Sequence, residues 1–196
     1  MGQFDYQRTV IAYHGCDSSL VNEVLLNGEK LKPSEKVHDW LGRGSYFWEH
    51  GPKRALEWAH DPERNIKKPA VLGAVMHLGN CFDLLDTQFT AMLTGAFPEF
   101  CRVQNEKGRP LPQNKKRRHN LDCAVINWTI DYLESKSGQK YHTVRGMFQE
   151  GNSAFDTSEI KTKSHIQIAV RHPEVILGYF KPVIDNSANF GFDSPT

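Results

Sequence analysis

The run Leu41-Gly42-Arg43-Gly44-Ser45-Tyr46-Phe47-Trp48-Glu49-His50-Gly51-Pro52 limits what this chain can fold into more than any other stretch. Gly42 and Gly44 bracket an arginine and give the backbone freedom for a tight entry into a strand. Ser45-Tyr46-Phe47-Trp48 then reads as a short strand, with Tyr46 and Trp48 on one face and Phe47 on the other. Pro52 suits the first turn of a helix, and Ala55, Leu56 and Ala59 recur at helical spacing beside Trp58. A turn, an aromatic strand and a small-residue helix together offer a platform for a flat ring. Taken alone, such a stretch is more often a well-packed strand–helix corner.

Strands and helices follow on either side. Arg8–Cys16 is β-branched and ends at His14-Gly15, with Thr9, Ile11 and Tyr13 facing one way and Val10, Ala12 and His14 the other. Asp17, Ser18 or Ser19 caps a helix that carries Leu20, Val24 and Leu25 inward and stops at Asn27-Gly28. Residues 29–40 read as a surface loop. Ala70–Leu78 is a nearly continuous apolar run, as expected of a strand buried on both faces. Residues 87–100 are weakly helical, and 102–120 read as the least structured part, with the basic run Lys115-Lys116-Arg117-Arg118. Leu121–Glu134 resumes as a helix burying Val125, Ile126, Ile130 and Leu133. Val144–Phe148, Ser164–Arg171 and Val175–Phe180 read as strands. The middle one alternates, with His165, Gln167, Ala169 and Arg171 opposite Ile166, Ile168 and Val170.

Composition narrows the class. The chain has 196 residues, enough for one substantial core, and its 39% hydrophobic and 24% charged fractions are those of a soluble globular protein. A formal net charge of +1 gives no global bias toward nucleic acid or membrane. Cys16, Cys81, Cys101 and Cys123 are scattered, fitting neither a zinc site nor a disulfide scaffold, and the nine histidines lack ligand spacing, so no metal is expected. The opening residues hold no apolar stretch of signal-peptide length, and no run has the length of a membrane span. These features predict a reduced, cytoplasmic protein of one domain over residues 1–184, with a polar tail over 185–196.

Familiar catalytic signatures are missing: there is no P-loop, no H-E-x-x-H and no G-x-S-x-G. Three strand-borne features remain: His14-Gly15, Tyr46 after Gly44, and Gln167. Inward polar residues on strands need partners, so each is informative. Singly, each is more often structural.

In order, however, Tyr13-His14-Gly15, Gly42-Arg43-Gly44-Ser45-Tyr46-Phe47 with Lys53-Arg54-Ala55, and His165-Ile166-Gln167-Ile168 resemble the ADP-ribosyltransferase superfamily, in its diphtheria-toxin and poly(ADP-ribose)-polymerase-like branch. Ile176–Phe180 is similar to that branch's closing strand. The resemblance covers about a third of the chain in dispersed patches. It implies an α+β fold: a split, strongly bent β core of two small sheets with flanking helices and an NAD cleft between the sheets. It also implies NAD-dependent mono-ADP-ribosyl transfer to a macromolecular acceptor, nucleic acid slightly favoured over protein because of the basic run. A toxin or phage-defence effector with a neutralising antitoxin partner is the biological setting it suggests.

By the same resemblance His14 binds a ribose of NAD, the Gly15 backbone holds the carboxamide, and Tyr46 stacks on nicotinamide beside Gly44 and Phe47. Arg43 and Arg145 are the expected pyrophosphate partners. The branch places a glutamate where this chain has Gln167, an amide that binds hydroxyls but carries no charge. Glu150, in the preceding loop, is the expected source of a carboxylate. Two other outcomes stay open: a silent NAD- or nucleotide-binding module, and an NAD glycohydrolase.

Overall fold

The computed structural model describes residues 6–115 and 118–184. Lys116 and Arg117 of the basic run and the expected tail over 185–196 lie outside the described residues. Nine strands and four α-helices alternate along that chain: β1 (Tyr6–Asp17), α1 (Ser18–Asn27), β2 (Ser45–Glu49), α2 (Pro52–Ala59), β3 (Pro69–Gly79), β4 (Cys81–Asp83), α3 (Thr87–Glu106), β5 (Asn114–Lys115), β6 (Arg118–His119), α4 (Asn120–Ser137), β7 (Thr143–Phe148), β8 (His165–Val170) and β9 (Ile176–Phe180). The fold is mixed α+β.

Local chemistry accounts for the element ends. The Asp17 carboxylate accepts from the Ser19 amide at the start of α1, and Gly28 closes that helix in the left-handed region at φ 70°. Asp86 caps α3 by the same contact, and Gly138 terminates α4 at φ 69°. Pro52 opens α2. Two stretches are more ordered than expected. The 87–100 helix extends to Glu106, and part of the 102–120 segment forms the two-stranded ribbon β5–β6, whose Asn114 side chain accepts from the Leu121 and Asp122 amides at the head of α4.

The expectation of two small sheets is corrected. Seven strands join in one sheet, ordered β4-β7-β8-β2-β1-β3-β9, and the ribbon stands apart. The sheet curls on itself because β3, near one edge, runs into β4, at the other, through Asn80 alone. Two Cα–Cα steps span at most about 7.6 Å, so the two ends must meet. The Thr143 hydroxyl seals that junction by donating to the Leu78 carbonyl at 2.6 Å. Inside the curl, Val10, Ala12 and Met76 from one half pack with Cys81, Ile168 and Val170 from the other, and α1 covers this core. On the outer face α2 packs over Trp48 and Val71, while residues of α3 and α4 pack over Phe82, Val144 and Ala169.

The idea of a split core retains one physical basis. β1 pairs with β3 from Thr9 to Asp17, but its register with β2 comprises Ala12↔Glu49 and Tyr13↔Trp48 alone. Beyond Tyr13 the two strands part. The sheet is continuous, yet pinched.

Candidate functional site

At the point where β1 leaves β2, a histidine ring takes the place of the ladder. His14 Nδ1 lies 2.7 Å from the Tyr46 carbonyl oxygen. A carbonyl only accepts, so Nδ1 carries the hydrogen and Nε2 keeps its lone pair. Burial drives the His14 pKa down, the carbonyl contact opposing it, so the ring is neutral near pH 7. Gly15 follows, and a Cβ there would come within 2.2 Å of the Ala55 carbonyl oxygen. Glycine at this position is what lets α2 lie directly on β1.

Tyr46 is fixed by its hydroxyl, which donates to the Gly42 carbonyl at 2.6 Å and accepts from the Leu41 amide at 2.8 Å. Burial raises its pKa well above the usual tyrosine value. It therefore presents a neutral ring and no acid–base group. Gly44 lies against β8, where a Cβ would stand 2.9 Å from the Val170 carbonyl oxygen. Phe47 points to the opposite face and is fully buried in the core.

Gln167 on β8 sits between Trp48 and Gly146 in register, two residues along from the Ala169↔Tyr46 pair. Its amide nitrogen lies 2.9 Å from His165 Nε2, and His165 Nδ1 is 2.7 Å from the Lys163 carbonyl oxygen. Glu150 completes the group. Its carboxylate binds Arg54 at 2.9 Å and stands 3.8 Å from His165 Nδ1. The structure thus places His14, Gly15, Tyr46 and Gln167 on three adjacent strands, with Glu150 beside the last; Tyr46 and Gln167 share a face, whereas the His14 ring lies 5.6 Å from Phe47 on the opposite one.

The two expected pyrophosphate arginines are elsewhere. Arg145 is interior, with Nε 2.5 Å from Glu49 and a terminal nitrogen 3.0 Å from Asp83. Both edges of its guanidinium are used. Arg43 makes a two-pronged contact with Asp131 of α4, at 2.6 and 3.0 Å, on the outside of the fold. Neither reaches Gln167.

Three residues to which the sequence analysis gave no site role belong to this neighbourhood: Arg54, Trp48 and His165. Trp48 Nε1 and Arg54 Nε are buried with no hydrogen-bond partner, although Arg54 also binds Glu57. Unpaired buried donors are costly, and two of them flank the Gln167–Glu150 group. His165 had a visible marker, because it shares a strand face with Gln167 two residues away. Arg54 had none.

A cavity of about 750 Å³ opens on the same outer face, between α3, α4 and β7. Trp40, Phe97, Phe148 and Ile126 line it, and Gly146, the register partner of Gln167, forms part of its wall. Among the described residues no cluster of three or more metal-ligating side chains converges, and no helix is long and apolar enough to cross a membrane.

No protein-family model matches the chain. It is 25% identical over 187 residues to an uncharacterized protein of the archaeon Methanocaldococcus jannaschii, an alignment covering 84% of this chain and 83% of that one.

Proposed function

We propose that the protein is an NAD-dependent mono-ADP-ribosyltransferase. One observation carries the reading: the three patches that resemble that superfamily, distant in sequence, lie on neighbouring strands β1, β2 and β8 where the sheet is pinched. In the proposed reaction the bond between C1′ of the ribose and the nicotinamide nitrogen breaks, and nicotinamide leaves with its electron pair. A nucleophile of the acceptor bonds to C1′ and loses its proton to solvent.

Tyr46 supplies a rigid ring face for nicotinamide, since both hydroxyl contacts prevent its rotation. The free Nε2 lone pair of His14 accepts from a ribose hydroxyl. Gln167 contributes a carbonyl dipole, and Glu150 a negative charge, toward the cationic character that develops at C1′. Arg43 and Arg145 have no part in it.

The test is to incubate the protein with adenine-labelled NAD and a cell lysate, then separate protein, RNA and DNA. Label in one fraction, lost in Tyr46→Ala and Gln167→Ala, supports transfer. Labelling unchanged in folded Tyr46→Ala overturns it. A silent NAD-binding module is the second reading, favoured by the uncharged amide at 167 and by the hold of Arg54 on Glu150. NAD binding without nicotinamide release would establish it, and free ADP-ribose as the only product would indicate a glycohydrolase.

A further inference from the structure

The outer face carries a continuous row of rings that ends on a basic ribbon. From β8 outward, His165 lies 6.0 Å from Phe148, Phe148 lies 4.4 Å from Trp40, and Trp40 lies 4.5 Å from His119. His119 belongs to β6, whose partner strand β5 places Lys115 opposite Arg118, both exposed. One end of the row is thus bonded to Gln167 through His165, and the other is flanked by two solvated cations. Alongside the row runs the 750 Å³ cavity, with Phe97, Trp40 and Phe148 in its walls.

This combination has a specific match in ligand chemistry. Cationic side chains that follow a backbone, next to aromatic faces that accept successive flat rings, are the means by which proteins hold single-stranded nucleic acid. A duplex keeps its bases stacked inside and offers nothing to a recessed row of rings. A purely apolar ligand would gain nothing from Lys115 and Arg118, and an acidic peptide would not use the rings. Among the described residues, the only carboxylate lining the cavity, that of Asp122, is engaged by Asn114 at 2.8 Å and by His119 at 3.0 Å, which offsets its repulsion of phosphate.

We propose that the cavity receives an unpaired nucleobase from a single strand whose phosphates lie along the β5–β6 ribbon. As the identity of the acceptor this rests on the transferase reading above, and it explains why a cavity borders the register partner of Gln167. Gly146, in the cavity wall, is itself about one strand spacing from Gln167, since the two are directly paired. Binding itself needs no NAD.

The test is fluorescence anisotropy of a fluorescein-labelled 12-nucleotide random-sequence RNA, its DNA counterpart and a 12-base-pair duplex, without NAD, over a salt series. Single strands should bind more tightly than the duplex. Trp40→Ala should weaken binding about tenfold or more, with Trp40→Phe restoring most of it. Lys115→Ala with Arg118→Ala should flatten the plot of log affinity against log salt by about 1.4, the share of two phosphate contacts on a single strand. Circular dichroism of each variant establishes that it is folded. No binding at low salt, equal binding of duplex, or indifference to both variant sets overturns the proposal. So does a dodecyl chain that fills the cavity, quenches Trp40 and is not displaced by the oligonucleotide. Oligonucleotide binding with no label from NAD on protein, RNA or DNA sinks the transferase reading and leaves this one standing, whereas label on protein without oligonucleotide binding does the reverse.

Discussion

His165 Nε2 stands 2.9 Å from the amide nitrogen of Gln167, and this contact decides which end of that amide is free. The Lys163 carbonyl at 2.7 Å requires a hydrogen on His165 Nδ1, so Nε2 is the acceptor and Gln167 the donor. The carbonyl oxygen of Gln167 is then left for a ligand. His165 acts as a positioning residue, working through Gln167.

That relationship predicts an acid limb in the activity. Burial, with the nearby Arg54 adding to it, holds the His165 pKa below the ordinary 6.5, against the opposing effects of the Lys163 carbonyl and the Glu150 carboxylate. The rings of Trp48 and Phe148 also face it. Protonation puts a hydrogen on Nε2, and the Gln167 amide must rotate to offer its oxygen there instead. Nicotinamide release should fall as pH drops below 6.5, through the lowered pKa. His165→Gln, which keeps an acceptor but does not titrate, should retain activity and lose that limb. A rate profile identical in wild type and variant would refute the link.

Three histidines, on β1, on β8 and just after β8, make stability depend on pH. His14, His165 and His172 all have pKa values lowered chiefly by burial. Between the folded values and 6.5 the unfolded chain binds more protons than the folded one, so stability rises with pH across that window. The histidines should therefore lower the urea midpoint from pH 7 to pH 5, against the opposite effect of Asp39, whose carboxyl pKa is raised by burial. A flat midpoint over that range would contradict the assignment.

Tyr46 separates ring from hydroxyl. Tyr46→Phe leaves the Leu41 amide and Gly42 carbonyl without their partner, at a cost of about 1–3 kcal/mol. Because the ring remains, NAD binding by calorimetry should persist, whereas Tyr46→Ala should abolish it. Equal loss in both would mean that the phenol itself binds the ligand.

Arg145 should matter for folding and not for ligand. Arg145→Ala leaves Asp83 buried without its cation and Glu49 to the exposed Arg8, 3.2 Å away, and breaking such a buried group costs about 3–5 kcal/mol. Chemical denaturation should show that loss, with NAD affinity unchanged where the variant is folded. A large change in affinity with intact stability would return Arg145 to the site.

Gly15→Ala brings a methyl group to 2.2 Å from the Ala55 carbonyl oxygen, so α2 must move. Overpacking of this kind costs about 1–3 kcal/mol, and thermal unfolding should report it. Loss of activity in this variant would thus reflect helix displacement as much as a missing backbone contact.

Much of this was readable from residue order. The β-branched run of 8–16 and the apolar spacing of 121–134 each fixed an element and its buried face, and the alternation of 165–171 fixed a strand that the structure buries on both faces, because periods of 2.0 and 3.6 are properties of a single segment. His14, Tyr46 and Gln167 were likewise visible as polar or aromatic residues on strands. The Asn120–Ser137 helix buries the expected Val125, Ile126 and Ile130.

Tertiary structure decided the rest. A strand's pattern says which face is apolar but not which strand lies beside it, so the one-residue link at Asn80, and the curl it imposes, had no sequence marker. The partners of Arg145 lie 96 and 62 residues away, and an arginine on a strand looks the same whether it will meet phosphate or a buried carboxylate. The row from His165 to His119 joins residues of four separate segments. Residue order determined the faces; strand pairing and curvature determined which faces meet, because those depend on contacts between segments that no local period encodes.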